Sequence, residues 1–349
     1  MSRYSIVLVY LLRLMAESKD FNNVVFQLEA DAQIGVGHLM RCMVIADELK
    51  KEGKVCYFLS RELAVPLRKL VVQKGHKVCT IDSEQSALKQ LESLRPEWTI
   101  VDNYELDATF ERRVCDVSRR LLVIDDLANR THYCDFLLDQ SPLRTKADYQ
   151  SRVNENCQFL LGANYVLIRP EFRTFRKSSI TSWEKALISL GGADPDNITL
   201  VILKALESVP QMKNIKWSVI AGVANLHWKA LDHYVARSQL DITLIKESSN
   251  IASLLADNDF AIGAAGGMAW ERSCIGIPTL TIPIADNQRS GLEVIRHFRL
   301  GETLEIEELN STHLSIALGR LRRHADDYLV RNQMLVDGFG VRRLLKAVW

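Results

Sequence analysis

Short apolar runs alternate with helix-length amphipathic segments from residue 24 onward, and this alternation constrains the fold more than any other feature of the sequence. In the first half of the chain such runs lie at residues 24–30, 54–60, 77–81, 98–104, 121–126, 134–139 and 159–162. In the second half they lie at residues 185–192, 215–222, 242–246, 260–267 and 279–284. Strands that alternate with helices predict βαβ units and a parallel sheet. The sequence therefore predicts two open α/β domains whose strand ends face each other across a ligand-binding crevice.

The length and composition agree with two globular domains. The chain has 349 residues, and a domain typically takes about 150. Lys and Arg number 44 against 43 Asp and Glu, so the net charge of +1 argues against a surface that holds nucleic acid. The seven cysteines are scattered without a C-x-x-C pair. We therefore expect reduced thiols and a cytoplasmic protein.

The first 22 residues do not follow the alternating pattern, and we treat 1–22 as an N-terminal extension. Its apolar run, residues 4–12, is shorter than the roughly 20 residues that a membrane span needs. Arg3 before the run and Ala16 after it give a loose likeness to a signal peptide. We expect a cytosolic appendage, either a docked helix or a stretch upstream of a true start at Met15. A helix on a membrane surface is the alternative, and we do not expect membrane contact through residues 4–12.

A polar and charged stretch after Arg169 and Pro170 is the candidate linker between the domains. We place the N-terminal domain, which carries the candidate catalytic base, at residues 23–175. The C-terminal domain takes residues 176–349.

The first candidate motif is a glycine loop between a strand and a helix. It contains Gly35 and Gly37, which allow a tight turn and a close approach to a ligand, and we predict that both glycines and Arg41 contact the substrate. G-x-G-x-x-G is incomplete because position 40 is Met, so this is not a dinucleotide fingerprint. His38 stands where the loop enters the helix, and a neutral imidazole is the usual general base at pH 7. A histidine that merely caps or packs at this turn is the alternative.

Two further glycine loops follow strands of the second half. Gly191 and Gly192 are followed by Asp-Pro, and this loop is as consistent with a plain turn as with a binding loop. Gly266 and Gly267 open a helix whose free N–H groups could hold a diphosphate without a metal. Glu271, about one turn into that helix, could accept hydrogen bonds from ribose hydroxyls; a role limited to the helix dipole is the alternative.

The remaining candidates carry amide or hydroxyl groups at strand ends. Asn287 and Gln288 follow an apolar strand and could read sugar hydroxyls or N-acetyl groups, although a loop cap would explain them as well. Tyr104 closes a strand of the first half and belongs either to the crevice or to the core. The histidines show no metal-binding spacing, and the pair Asp125-Asp126 is more often a turn than a metal site. We therefore predict no metal and no cofactor.

Taken together, these windows resemble one family, the UDP-sugar hydrolases of pseudaminic acid biosynthesis, or PseG-like proteins, which include spore coat polysaccharide relatives. The segments that carry the resemblance are IGVGHLMRC (34–42), LLVIDDLANRTHYCDFLLDQ (121–140), LLGANYVLIRPEF (160–172), LISLGGADPDNIT (187–199), GAAGGMAWERSCIGIPTL (263–280) and ADNQ (285–288). The resemblance implies an α/β fold of GT-B type, like that of MurG, with two Rossmann-like domains whose parallel sheets face across a cleft.

The resemblance also implies an activity: hydrolysis of a UDP-linked 2,4-diacetamido-2,4,6-trideoxyhexose to UDP and free sugar, without metal. His38 would then activate water for inverting attack at the anomeric carbon. Tyr104, Asn287 and Gln288 would contact the substrate, and Glu271 with the glycine turn before it would bind UDP. The UDP-sugar would be the partner of an enzyme that we expect to be a monomer.

The sequence departs from the family pattern where Gly267-Met268 replaces a common Ser or Thr pair, and Asn103 stands where His is frequent. These changes leave the identity of the acetamido sugar open. Two other functions also stay open: a GT-B glycosyltransferase that uses a sugar or lipid acceptor, and a silent nucleotide-sugar-binding subunit.

Overall fold

The computed structural model describes residues 22–30, 37–61, 63–192, 194–222, 225–246, 248 and 250–349. The described residues form two compact units. Unit 1 holds residues 22–30, 38–138 and 146–159, and unit 2 holds residues 37, 139–145 and 160–349. Most of the predicted N-terminal extension, residues 1–21, lies outside the described residues.

The first sheet has seven strands, β1 to β7, in the order β3-β2-β1-β4-β5-β6-β7. The strands are β1 (Asn23–Leu28), β2 (Val55–Ser60), β3 (Lys77–Thr80), β4 (Trp98–Asp102), β5 (Arg120–Ile124), β6 (Phe136–Asp139) and β7 (Gln158–Leu161). The helices along this part of the chain are α1 (Gly37–Lys51), α2 (Val65–Gln73), α3 (Glu84–Leu94), α4 (Ala108–Cys115) and α5 (Lys146–Tyr149).

Strand β1 is the centre of this sheet because both of its faces are apolar. It pairs in parallel with β2 on one side and β4 on the other, and Val24, Val25 and Phe26 are fully buried. Parallel strands that are covered by helices on both faces typically have such a continuous apolar sequence. The strand order reverses between β1 and β4, and ligands of open α/β sheets bind at this kind of switch point.

The second sheet has six strands in the order β10-β9-β8-β11-β12-β13. The strands are β8 (Lys185–Ser189), β9 (Lys216–Ile220), β10 (Asp241–Ile245), β11 (Phe260–Gly263), β12 (Thr279–Thr281) and β13 (Glu302–Thr303). The helices from this part onward are α6 (Glu171–Thr174), α7 (Ile198–Glu207), α8 (Trp228–Val235), α9 (Ile251–Ala256), α10 (Met268–Ile275), α11 (Arg289–Phe298), α12 (Ser311–Arg323), α13 (Ala325–Leu335) and α14 (Gly340–Val348). Its switch point lies between β8 and β11, which pair in parallel.

The Arg-rich C-terminal stretch, residues 318–348, has an amphipathic pattern that predicts helix throughout, but the structure interrupts it. Three helices occupy it, and a break between α13 and α14 contains Gly338 in the left-handed region, with φ of +81°. The short edge strand β13 was not expected, because two residues give too little periodicity to detect. Residues 160–175, which we expected in the first domain, belong to unit 2, where Phe172 shares a buried cluster with Leu187 and Ile275.

Two further observations concern the described residues as a whole. No helix among them is long and apolar enough to cross a membrane. All seven cysteines are free thiols.

Candidate functional site

Three predicted residues come together at the switch point of the first sheet. His38 is the second residue of α1, which follows β1, and Tyr104 lies just beyond the end of β4. Leu28 and Asp102, the last residues of these neighbouring strands, are in register, so the two chain segments leave the same sheet edge side by side. The rings of His38 and Tyr104 meet edge to face, with centroids 4.5 Å apart and an angle of 80° between them.

Arg41, one turn along α1 from His38, links two carboxylates beneath this pair. Its Nε and Nη2 donate to the two oxygens of Asp102 at 2.6 and 2.5 Å, and its Nη1 donates to Asp126 at 2.8 Å. Asp102 is fully buried and Arg41 is only 8% exposed. A two-pronged guanidinium–carboxylate pair of this kind is strong and geometrically specific. Arg41 is therefore fixed by the protein itself, and its fork is not free to bind a substrate phosphate.

The ring of His38 is held in one orientation by the backbone. Its Nδ1 lies 3.1 Å from the carbonyl oxygen of Asp102. A carbonyl can only accept a hydrogen bond, so neutral His38 carries its proton on Nδ1, and Nε2 keeps the lone pair. The side chain is 6% exposed. This arrangement supplies what a general base needs, an oriented nitrogen that can take a proton.

The electrostatics keep that nitrogen unprotonated near neutral pH. Burial lowers the pKa of His38 below its usual 6.5; the Asp102 carboxylate opposes this shift and Arg41 adds to it. Burial alone would raise the pKa of Asp126, but the Arg41 cation holds that pKa below its usual value. Burial raises the pKa of the Tyr104 hydroxyl, and Asp126 adds to the increase. At pH 7 the site therefore holds a neutral imidazole, an ionised carboxylate and an un-ionised phenol.

In unit 2, the loop after β8 places an acid where an anion would otherwise bind. Asp194 accepts from the backbone N–H groups of Ile198 and Thr199, at 2.8 and 3.0 Å, and so caps the start of α7. Gly191 adopts φ of +105°, and Gly192 packs so closely on Gly222 that a Cβ on the latter would lie 2.6 Å from the Gly192 oxygen. The carboxylate repels a second anion at this terminus. The Gly191-Gly192 loop therefore has a structural explanation as a tight turn.

The start of α10 differs, because no side chain caps it. Gly266 and Gly267 lead into the helix from the end of β11, at the switch point of the second sheet. The side chain of Gln288 lies beside this loop, since a Cβ on Gly266 would be 3.8 Å from its Nε2, and its Oε1 accepts from Ile284 N. An uncapped helix start beneath a glycine turn is a ready site for a phosphate group.

Two arginines of unit 2 act on this loop and on its acid. Arg169 Nη2 lies 3.4 Å from Glu271 Oε1; burial raises the pKa of Glu271, and Arg169 partly offsets the increase. Arg272 is buried, donates to the carbonyl of Ala264 at 2.5 Å and packs its guanidinium on Gly263. Burial lowers the pKa of Arg272 to about 10. Arg272 thus fixes the first residues of the loop, and Arg169 fixes Glu271.

Of the remaining predicted site residues, those that the structure describes make no contact that supports a role in binding or catalysis. Asn287 is exposed on the short 3₁₀ turn that precedes α11, and Gly37 is the exposed first residue of α1. Gly35 lies outside the described residues. In the part of the chain that the structure describes, no cluster of three or more His, Cys, Asp or Glu could hold a metal ion. Asp125 accepts from Ala128 N at 2.7 Å, as a turn residue does.

Sequence reasoning missed the two carboxylates that organise the site in unit 1. Asp102 ends β4, and Asp126 follows β5, the neighbouring strand. Acids at the carboxyl ends of adjacent parallel strands must converge on one sheet edge, so the strand assignments already contained the signal. Arg169 and Arg272 gave no comparable signal.

Comparisons with known proteins extend these observations. No protein-family model matches the chain. The UDP-2,4-diacetamido-2,4,6-trideoxy-beta-L-altropyranose hydrolase of Campylobacter jejuni is 26% identical over 272 residues, which cover 76% of this chain and 93% of that protein. The spore coat polysaccharide biosynthesis protein SpsG of Bacillus subtilis is 21% identical over 325 residues, 89% of this chain and 93% of SpsG. The resemblance to the PseG-like proteins is confirmed. An uncharacterized protein of Methanocaldococcus jannaschii is 25% identical over 309 residues, and the match covers 84% of this chain but 63% of that longer protein.

Solved structures show the same architecture. MurG of Acinetobacter baumannii superimposes with a TM-score of 0.66 at 12% identity, covering 93% of this chain and 99% of MurG. Anabaena Alr3699/HepE, solved in complex with UDP, gives a TM-score of 0.59 at 12% identity, covering 93% of this chain and 98% of HepE. The chain therefore has the α/β GT-B fold that the sequence predicted.

Proposed function

We propose that the protein hydrolyses a UDP-linked 2,4-diacetamido-2,4,6-trideoxyhexose to UDP and the free sugar. The observation that carries this proposal is the state of His38, neutral and with its Nδ1 proton committed to the Asp102 carbonyl at 3.1 Å. The similarity to the Campylobacter jejuni hydrolase supports the choice of substrate. In this proposal the protein is a cytoplasmic, monomeric enzyme that acts in the synthesis of pseudaminic acid or of a related surface or spore coat polysaccharide.

The proposed step is a displacement by water. Nε2 of His38 removes a proton from water as its oxygen attacks the anomeric carbon, and the bond from that carbon to the UDP oxygen breaks. The attack comes from the face opposite UDP, so the sugar leaves with inverted configuration. His38 then returns the proton to solvent. A fixed base contributes typically 10²- to 10⁴-fold to such a step, and the orientation of the water adds to this.

Unit 2 would bind the UDP part. We assign the diphosphate to Gly266, Gly267 and the uncapped start of α10, and the ribose hydroxyls to Glu271. Asn287 and Gln288 would contact the sugar. The backbone N–H groups and the helix dipole would stabilise the negative charge that develops on departing UDP. This assignment prefers α10 over α7 because the Asp194 carboxylate already occupies the start of α7.

The test follows UDP release from UDP-2,4-diacetamido-2,4,6-trideoxyaltrose, without an added acceptor, in the wild type and in His38→Ala. We expect the variant to lose at least about 10²-fold in kcat while its Kd for UDP stays within about threefold. His233→Ala is the matched control, because His233 is an exposed histidine of α8 in unit 2. An equal loss of UDP affinity in His38→Ala would show that His38 is only structural.

A GT-B glycosyltransferase is the second candidate, because the chain shares the GT-B fold with solved structures such as MurG. It would use the same base on a sugar or lipid hydroxyl in place of water. The same assay separates the two functions: UDP release that starts only when an acceptor is added identifies a transferase.

A further inference from the structure

In the hydrogen bonds beside His38, each group can act only as donor or only as acceptor, and Arg41 determines these roles. A guanidinium has donors only, and Arg41 Nη1 donates to Oδ2 of Asp126 at 2.8 Å. The Asp126 carboxylate is thereby held ionised, and an ionised carboxylate has acceptors only. Any hydroxyl that meets Asp126 must therefore donate to it.

Tyr104 is the hydroxyl that meets Asp126. Its Oη donates to Oδ1 of Asp126 at 2.9 Å. A phenol has a single hydrogen, so after this donation the Tyr104 oxygen offers only lone pairs. Among the described residues, none donates a hydrogen bond to that oxygen. Tyr104 is thus an acceptor toward anything that binds next to it.

The position of this acceptor is fixed as well as its direction. Arg130 donates to the carbonyls of Asn103 and Leu106, at 2.9 and 3.1 Å, and so pins the backbone on both sides of Tyr104. The His38 ring also packs edge to face with the Tyr104 ring, with centroids 4.5 Å apart. A half-buried acceptor that cannot turn away is costly to leave unpaired, because it loses water without gaining a partner.

We propose that Asp126 is a specificity-determining positioning residue, which locks Tyr104 as a hydrogen-bond acceptor so that the site next to His38 selects a substrate with a donor there. This inference rests on the proposed function, where the donor is the N–H of an acetamido group. A sugar hydroxyl could also donate, whereas an ester, a carbonyl or a deoxy carbon could not. The Tyr104 acceptor therefore favours substrates with an acetamido or hydroxyl substituent at this position and disfavours substrates whose substituent has no hydrogen-bond donor.

The test replaces the donor without changing the size of the group. UDP-sugars that carry an acetoxy group in place of the acetamido group at C2 or at C4 lose N–H but keep the acetyl. For the wild type we expect kcat/KM to fall about 10- to 100-fold on one of the two analogues, the penalty of leaving a buried polar group unpaired. A hydroxyl at the same carbon should recover part of this loss.

Two variants test whether the Tyr104–Asp126 hydrogen bond causes the preference for the acetamido form over the acetoxy form. Tyr104→Phe removes the acceptor and should reduce the acetamido-to-acetoxy ratio to below about threefold. In Asp126→Asn, Arg41 donates a hydrogen bond to the amide oxygen of the asparagine. The amide nitrogen then faces Tyr104 and donates to its oxygen. The Tyr104 hydrogen is then released toward the substrate, and the ratio should fall below about threefold or invert. Asp116→Asn, at an exposed acid of unit 1, is the matched control and should keep the wild-type ratio.

The outcomes separate this inference from the proposed function. A wild type that hydrolyses both acetoxy analogues as well as the diacetamido sugar, or a Tyr104→Phe variant that keeps the full ratio, would overturn the inference. If no UDP-sugar is hydrolysed, the proposed function fails; calorimetry then measures Kd for analogues with CH2 in place of the anomeric oxygen. A 10- to 100-fold preference for the acetamido form, lost in Tyr104→Phe, would sustain the inference without hydrolysis. Equal binding of both forms, or binding of neither, would overturn it.

Discussion

Replacing Arg41 with Met tests how the site in unit 1 is built. The methionine can cover the apolar part of the space but cannot donate, so three hydrogen bonds to Asp102 and Asp126 are lost. Asp102 has no exposed surface, and its carboxylate would remain in the core without a cation. Breaking a buried pair by removing one partner costs about 3–5 kcal/mol. We expect a loss of that size in the free energy of unfolding of unit 1.

The assay is hydrogen exchange at native pH, followed by mass spectrometry on peptides from β1 and β4, which report on unit 1 separately from unit 2. Arg120→Met is the matched control, because Arg120 pairs with Asp135 at 2.9 Å while its side chain is 54% exposed. An exposed pair contributes about 0–1 kcal/mol. A loss below about 1 kcal/mol in Arg41→Met, equal to the control, would refute the claim that the buried carboxylate depends on Arg41.

Three further predictions follow from the same contacts. The kcat/KM for the UDP-sugar should fall on acidification with a midpoint below pH 6.5, because burial lowers the pKa of His38 and only the neutral form is a base; a midpoint above 6.5 would contradict this. Gly263→Ala would push a Cβ into Arg272 and should cost about 1–3 kcal/mol by denaturant unfolding, whereas Gly319→Ala, with open space around it, should be neutral or stabilising. Glu271→Gln should weaken UDP binding about 10-fold or more by calorimetry. Below the raised pKa of Glu271 the wild-type affinity should decline more steeply with falling pH than the affinity of the variant, and unchanged affinity in the variant would exclude the ribose contact.

The fold could be predicted because its signal is periodic and local. The run at 98–104 predicted β4, and the structure gives Trp98–Asp102, shorter at the carboxyl end. The run at 260–267 likewise shrinks to β11, Phe260–Gly263. Both predicted runs extend past the point where the chain turns away from the sheet, so strand ends are less predictable than strands. The edge strand β13 was too short to produce a pattern.

The position of His38 at a strand-to-helix junction could be predicted, because the strand and the helix that flank it each have a clear local pattern. The sequence did not predict which side chains form hydrogen bonds and ion pairs with each other. Arg41 was a candidate for substrate binding, yet the structure commits its donors to Asp102 and Asp126, which are 61 and 85 positions away along the chain. Asp194 was part of a possible binding loop, yet it caps α7. Such assignments depend on which groups meet across the fold, and a single sequence does not contain that information.

The most direct test of the proposed function is hydrolysis of UDP-2,4-diacetamido-2,4,6-trideoxyaltrose in H2¹⁸O, with no acceptor added and the products analysed by mass spectrometry and proton NMR. The account predicts one ¹⁸O atom on the anomeric carbon of the released sugar, none in UDP, and inverted anomeric configuration in the first product formed. Label in the phosphate, retained configuration, or no reaction until an acceptor is supplied would contradict it.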